Sequence, residues 1–473
     1  MKTDEFRHYG YKIIDWLADY FDNVGRMRVV PDVKPGEIRA MLPDSAPFEP
    51  ESMDEILKDF ESKILPGVTH WQHPGWFAYF PANNSPASVL GELLTAGLGV
   101  QGMVWKTSPS AEELEIAVLD WLREMLGLPP EMKGVIQDTA STSTLCALIT
   151  AREKATGFKF NERGAIRGLT VYASEESHSS VEKGVKIAGY GRINLRTIPT
   201  DDRLAMIPGE LEAAIEKDKN AGMVPAFAVA TAGTTSSGAI DPIRAIGEVC
   251  RRHSVWLHVD AAYGGTAAIL PEKRWILDGV ELVDSFVFNP HKWMLTNFDC
   301  SVYFVRDAAA LVRTFEIHPE YLKTGVDAVV RNYRDWGIQL GRRFRALKLW
   351  FVIRSYGVSG IQAMVKEHLR LALLFKEWLA ADGRFELMAP VDLAVVCFRL
   401  NDGRPESELN DLNERFHAEI NSSGSIFLTH TALKGKYTIR LVVGQRTTTE
   451  DHVRQAWDII RRAAENTAKI YPA

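Results

Sequence analysis

Between about residue 130 and residue 310 the chain repeats one pattern: a short apolar or β-branched run, a loop, then helical spacing. That is the signature of a mostly parallel sheet dressed with helices, an α/β fold. The runs predict strands at Gly134–Gln137, Leu169–Ala173, Ala226–Ala230, Val255–Val259 and Ser285–Phe288, with Ser301–Val305 returning antiparallel. Upstream, Phe6, Tyr9, Ile13, Trp16, Leu17, Tyr20 and Phe21 recur at steps that line one face of a helix, and this apolar stripe needs a cover. Periodicity alone leaves the cover open between the chain's own body and a second subunit. The proline-rich connector that follows (Pro31, Pro35, Pro43, Pro47, Pro50) separates the helix from the rest and fits an arm. From Gly341 onward a helix over Phe344–Tyr356, strands near Leu393–Leu400 and Tyr437–Leu441, and a closing helix from Thr449 to Ala464 predict a smaller α+β unit.

Composition narrows the function. With 473 residues, 46% hydrophobic and 25% charged, the chain is an ordinary globular protein, neither disordered nor fibrous. Its net charge of −6 comes from intermixed acids and bases, so no basic stripe is available to neutralise phosphates and no nucleic-acid partner is expected. Cys146, Cys250, Cys300 and Cys397 lack metal or disulfide spacing; they read as core residues in a reducing compartment, and no metal site is expected. No apolar run approaches the roughly 18 to 20 residues that span a bilayer, and the acidic start is unlike a signal peptide. A cytoplasmic protein with no membrane partner is the expectation.

In parallel α/β sheets ligands sit beyond the carboxyl ends of the strands, and those ends are crowded with functional groups. Asp138-Thr139-Ala140-Ser141-Thr142-Ser143-Thr144 opens a helix; its N–H groups and hydroxyls suit a phosphate, although a plain Ser/Thr cap explains them too. Ser177-His178-Ser179 follows the next strand, and Thr234-Thr235-Ser236 lies in a small-residue turn after the third. Asp260 ends an apolar run, and a carboxylate there needs a partner to offset its desolvation. Lys292 follows the next strand, about one βαβ step away, and lysine is rarely buried without chemistry to do. A lysine, a carboxylate, a phosphate cradle and a ring that can stack are what pyridoxal 5′-phosphate asks of a protein. The lysine bonds its aldehyde, and the aspartate keeps the pyridine nitrogen protonated. No G-x-G-x-x-G follows an early strand, which disfavours a nicotinamide dehydrogenase.

Longer strings carry a resemblance: His70-Trp71-Gln72-His73-Pro74, Phe77-Ala78-Tyr79-Phe80-Pro81, Ser177-His178-Ser179-Ser180-Val181-Glu182, His258-Val259-Asp260-Ala261-Ala262-Tyr263 and Asn289-Pro290-His291-Lys292-Trp293. Over nearly its whole length the chain resembles the group II pyridoxal-phosphate decarboxylases, and within them the aromatic L-amino acid decarboxylases. The resemblance implies the aminotransferase-like PLP fold type I. It implies an N-terminal helical arm and dimerisation segment at 1–80, a large cofactor-binding α/β domain at 81–345 and a small C-terminal α+β domain at 346–473. A homodimer with shared active sites is implied as well.

Carried over by position, Lys292 would hold the cofactor, Asp260 pair with its pyridine nitrogen, and His178 stack on the ring and approach the substrate. Ala140, Ser141 and Asn289 would bind the phosphate and Thr235 the cofactor–substrate adduct, with Ala262 and His291 completing the cofactor set. Tyr321, in a closing loop at residues 318–323, would protonate the reacting carbon. The resemblance places Trp71, Tyr79, Phe80, Pro81, Ala82, Gln101, Met103 and Gly357 at the substrate. Ala82 stands where catechol-handling members have Thr or Ser, and Gln101 and Met103 replace an aliphatic and an aromatic residue. Gly357, at the position matched to a Gly in indole-handling plant members, would leave room for an indole. The implied reaction is α-decarboxylation of tryptophan, phenylalanine, tyrosine or their hydroxylated forms to the amine. The alternatives are an aromatic aldehyde synthase and, from another class, a non-catalytic regulatory protein of the same fold.

Overall fold

The computed structural model describes residues 1–317, 325 and 329–470. Its main sheet holds seven strands: β1 (Lys133–Gln137), β2 (Leu169–Ser174), β3 (Leu195–Ile198), β4 (Val224–Thr231), β5 (Trp256–Asp260), β6 (Ser285–Phe288) and β7 (Ser301–Val305). They lie in the order β1-β7-β6-β5-β4-β2-β3. Only β7 runs against its neighbours, as its position in the sequence pattern predicts. Strands β2, β5 and β6 are buried at every position and β4 at all but its first. A sheet covered on both faces has no solvent side to alternate with, which is why these strands read as continuous apolar runs. The edge strand β3 buries only Ile198, so it left no such run to find.

A second, antiparallel sheet has the order β10-β11-β9-β8, from β8 (Phe385–Leu387), β9 (Val395–Leu400), β10 (Thr429–Leu433) and β11 (Lys436–Val442). One continuous apolar core joins it to the main sheet. The span Arg345–Ala381 is two helices divided at Gly357, whose φ 65° and ψ 169° are non-helical, so the first ends at Tyr356 as expected. A positive φ is what glycine supplies at little cost, so the residue ends one helix and turns the chain into the next.

The helix Thr3–Asn23 has no buried residue. Part of its stripe packs on its own chain: Trp16 meets Phe60 edge-on at 5.2 Å between ring centroids, and Tyr20 Oη hydrogen-bonds His70 Nδ1 at 3.0 Å. The rest stays open, with Phe6 66% exposed. Beyond the connector, the chain joins the C-terminal sheet, where Phe77 N–H donates to Phe427 O at 3.1 Å and Val442 N–H to Phe77 O at 2.9 Å. Among the described residues no helix is long and apolar enough to cross a membrane.

Candidate active site

Asp260 is the last residue of β5, and its Oδ1 accepts the N–H of Ala262 at 3.0 Å, which turns the chain away and leaves the carboxylate at the strand end. On the adjacent strand, β6 runs into Asn289 and the one-turn helix Pro290–Trp293, which carries Lys292. Two backbone bonds tie these ends together: Asn289 N–H to Ala262 O at 3.1 Å and Lys292 N–H to Asn289 O at 2.9 Å. From the other side, the buried Asn83 donates through Nδ2 to Lys292 O at 3.1 Å and also bonds Gly444 O, fastening the lysine's backbone to the C-terminal unit.

Lys292 and Asp260 line one cavity of about 200 Å³. Ala140, Ser141, His178, Thr235, Ala262, Asn289 and His291 line it as well, so every residue expected at the cofactor meets there. Of the residues expected at the substrate, only Phe80 does. Near the surface Trp71 packs at a tilt against Trp76 and stacks on Tyr79, with centroids 4.3 and 5.8 Å away. Ala82 O accepts Gln72 Nε2, and Pro81 packs where Gly444 has no side chain. Gln101 and Met103 are bonded into a neighbouring loop pair, and Gly357 lies at the helix break. Tyr321 falls outside the described residues.

The electrostatics suit a reactive amine. Burial lowers the Lys292 pKa from its ordinary value and Asp260 opposes the shift; lowering enlarges the fraction of neutral, nucleophilic amine. Burial also lowers His178, with Asp260 raising it and Lys292 lowering it further. His178 Nδ1 accepts Ser180 N–H at 3.2 Å and lies 2.7 Å from Ser180 Oγ, which leaves Nε2 for the cavity. A stack of rings forms one wall: Phe80 on Tyr263 at 3.9 Å and Tyr263 on Trp293 at 4.8 Å.

Several contributors went unread in the sequence. Asn83 is one. Another is Arg440 on β11, whose buried guanidinium donates to the neutral oxygens Ser236 O (2.8 Å) and Thr429 Oγ1 (3.0 Å) and sits 5.5 Å from the Phe80 ring. Lys292 Nζ lies 5.2 Å from the same ring, so both side chains meet one phenyl. No local signal marks either residue, because their partners are remote in sequence.

The residues present fit pyridoxal phosphate. Thr139 caps the helix Ala140–Ala155 by accepting Thr142 N–H, so the cap reading holds; yet the first-turn N–H groups of Ala140 and Ser141 have no partner within the helix and line the cavity. Asn289 Oδ1 and Thr231 Oγ1, on cavity-lining residues, are buried without a hydrogen-bond partner. A buried orphan of this kind costs about 1–3 kcal/mol unless a ligand satisfies it. Fold and site together define an enzyme of the pyridoxal-phosphate fold type I.

Comparison with known proteins narrows the class. Residues 35–401 match the pyridoxal-dependent decarboxylase conserved domain, and the chain belongs to that family. It is 44% identical over 475 residues to phenylacetaldehyde synthase of Arabidopsis thaliana, covering 98% of this chain and 96% of the relative. It is likewise 44% identical over 476 residues to tyrosine decarboxylase 2 of Narcissus pseudonarcissus, covering 98% and 95%. The crystal structure of Oryza sativa TDC with PLP and tryptamine superposes with a TM-score of 0.95 at 37% identity, covering 98% of this chain and 99% of that one.

Proposed function

We propose that this chain catalyses the α-decarboxylation of an aromatic L-amino acid to its amine and CO₂. The observation that carries this reading is the convergence of Lys292 and Asp260, from adjacent strand ends, on one cavity walled by Phe80 and Tyr263. Pyridoxal phosphate, when bound, supplies an electron-accepting ring for the pair of electrons that departing CO₂ leaves behind. The protein's residues do the rest. Lys292 would hold the cofactor through its aldehyde and release it to an arriving substrate amine. Asp260 would keep a proton on the ring nitrogen. His178, with Nδ1 engaged by Ser180, would offer Nε2 to the cofactor ring and the substrate. Ala140, Ser141, Asn289 and His291 would hold the phosphate, and Thr235 and Ala262 would border the ring. Tyr321 delivers a proton to the reacting carbon.

The working unit is a homodimer in which segments of one subunit complete the site of the other. Exposed apolar groups support it: Leu90, Leu93, Leu94 and Leu98 on the helix Pro86–Leu98, and Phe6 and Ile13 on the N-terminal helix. Four free, buried cysteines fit the reducing cytoplasm.

The test is to incubate the purified protein with tryptophan, phenylalanine, tyrosine and their hydroxylated forms, measuring amine, CO₂, aldehyde and peroxide together. Amine with CO₂ in equal amounts is expected. Aldehyde with peroxide from the unsubstituted chain would make it an aldehyde synthase, and cofactor binding without turnover of any substrate would make it a regulatory protein. Tyr321→Phe is expected to shift product from amine toward aldehyde, and an unchanged amine yield would remove Tyr321 from the proton transfer.

A further inference from the structure

One cavity residue is fixed from outside the cavity. His291 N–H donates to Cys300 O at 3.3 Å, and Cys300 N–H donates to His291 Nδ1 at 2.8 Å. Nδ1 is therefore an acceptor, and in the neutral ring the proton sits on Nε2, at the opposite edge. Strands β1 and β7 pair with Gln137 opposite Ser301, so Cys300 lies beside the turn that opens the helix Ala140–Ala155. His291, bonded to Cys300, is thereby brought to the phosphate end of the cavity. Phe298 packs against its ring, with centroids 4.7 Å apart.

The turn that carries Cys300 is held by an ion pair. Arg345, the first residue of the long helix, donates from Nε to Asp299 Oδ1 at 2.8 Å and from Nη2 to Oδ2 at 3.4 Å. The two side chains are only 8% and 20% exposed. A two-point contact between guanidinium and carboxylate sets orientation as well as distance.

We propose that the Arg345–Asp299 pair is a positioning device that holds the turn so that Cys300 locks His291 as a neutral Nε2–H donor to the phosphate of bound pyridoxal phosphate. This rests on the pyridoxal reading of the cavity. Burial and the charge of Lys292 push the His291 pKa down to about 3, so the ring stays neutral and the device selects a tautomer rather than a charge. The cavity lining supports the need for it: among the described residues, Lys292 is the one lysine or arginine that lines the cavity, and its amine is committed to the aldehyde. The phosphate is then received by directed N–H donors, whose value depends on geometry.

The experiment titrates the full chain, cleared of cofactor, with pyridoxal phosphate and with pyridoxal, which lacks the phosphate. Arg345→Met and the more conservative Asp299→Asn are each expected to weaken pyridoxal phosphate about tenfold while leaving pyridoxal within about twofold. Arg345→Lys is expected to recover part of the loss. The ¹⁵N spectrum of His291 is expected to change from Nε2–H alone to a mixture of tautomers. In combination with His291→Gln, neither substitution should add to the loss that His291→Gln causes by itself. Equal weakening of both ligands, or undiminished pyridoxal phosphate affinity in a folded Asp299→Asn chain, overturns the proposal. An unsubstituted chain that binds neither ligand removes the pyridoxal reading and the proposal with it.

Discussion

The cofactor residues around Lys292 and the substrate residues Gln101 and Met103 were expected at one site, and the two regions are built in different ways. Around Lys292, side chains from five strand ends of a rigid sheet converge on one space. Gln101 and Met103 are instead fastened to the chain at 332–343. Gly102 N–H donates to Arg342 O at 2.9 Å, Gln101 Oε1 accepts Arg342 N–H at 2.7 Å, and Met103 O accepts Arg334 N–H at 3.1 Å. Arg342 itself pairs with the buried Glu115 at 2.6 Å. A sheet delivers groups to its own strand ends; a loop pair of this kind delivers them to whatever docks against it. The difference teaches that one chain gathers the whole cofactor set by itself, whereas Gln101, Met103 and Gly357 do not line that cavity; the proposed shared site would bring them to the substrate of a second chain.

The comparison breaks most sharply at the lysine. Lys292→Ala is expected to lower the rate about a thousandfold or more, since the covalent anchor is lost, and to abolish the absorbance of lysine-bound cofactor without lowering the unfolding temperature. A rate left within tenfold of the unsubstituted chain would take the first region out of the chemistry. Subunit mixing addresses the second region. Met103→Arg is expected to be inactive with normal cofactor affinity. Mixing it with inactive Lys292→Ala chains should restore about a quarter of full activity, because random pairing leaves one intact site in each mixed dimer. No recovery in demonstrably mixed dimers would place both halves in the same subunit.

What could be read from the sequence follows the same division. Strands β4, β5 and β6 announce themselves as apolar runs, and the residue that ends each run is where a polar side chain stands out, so Asp260 and Lys292 were legible together with their neighbours. Strands β8 and β10, half-exposed and short, carry no such contrast. Asn83 grips Lys292 O and Gly444 O across more than two hundred positions, and Arg345 reaches Asp299 from another element; neither contact leaves a local pattern. The helix stripe from Phe6 to Phe21 was read correctly as amphipathic, but only the structure shows that Trp16 and Tyr20 turn inward while Phe6 does not. Gly357 read as room for a substrate ring, whereas its conformation also makes it the break between two successive helices.

The smallest effect concerns how the second region is held. Glu112 lies beneath the loop pair, 1% exposed, with Oε2 accepting Tyr333 N–H at 3.3 Å and Oε1 without a hydrogen-bond partner. Burial pushes its pKa from the ordinary 4.5 up to about 8; Arg342 opposes the shift and the like charge of Glu115 adds to it. The folded value thus lies above the unfolded one. Below pH about 4.5 both states hold the proton, between 4.5 and 8 only the folded state keeps it, and stability falls as pH rises through that window. Glu112→Gln keeps the shape and removes the titration. It is expected to match the unsubstituted chain at pH 5 and to exceed it at pH 9 by about 1–2 kcal/mol in urea unfolding, with pyridoxal phosphate affinity at Lys292 unchanged. An identical pH slope in the two proteins would mean that Glu112 is ionised when folded and that charge, rather than a neutral hydrogen-bonded acid, holds the second region in place.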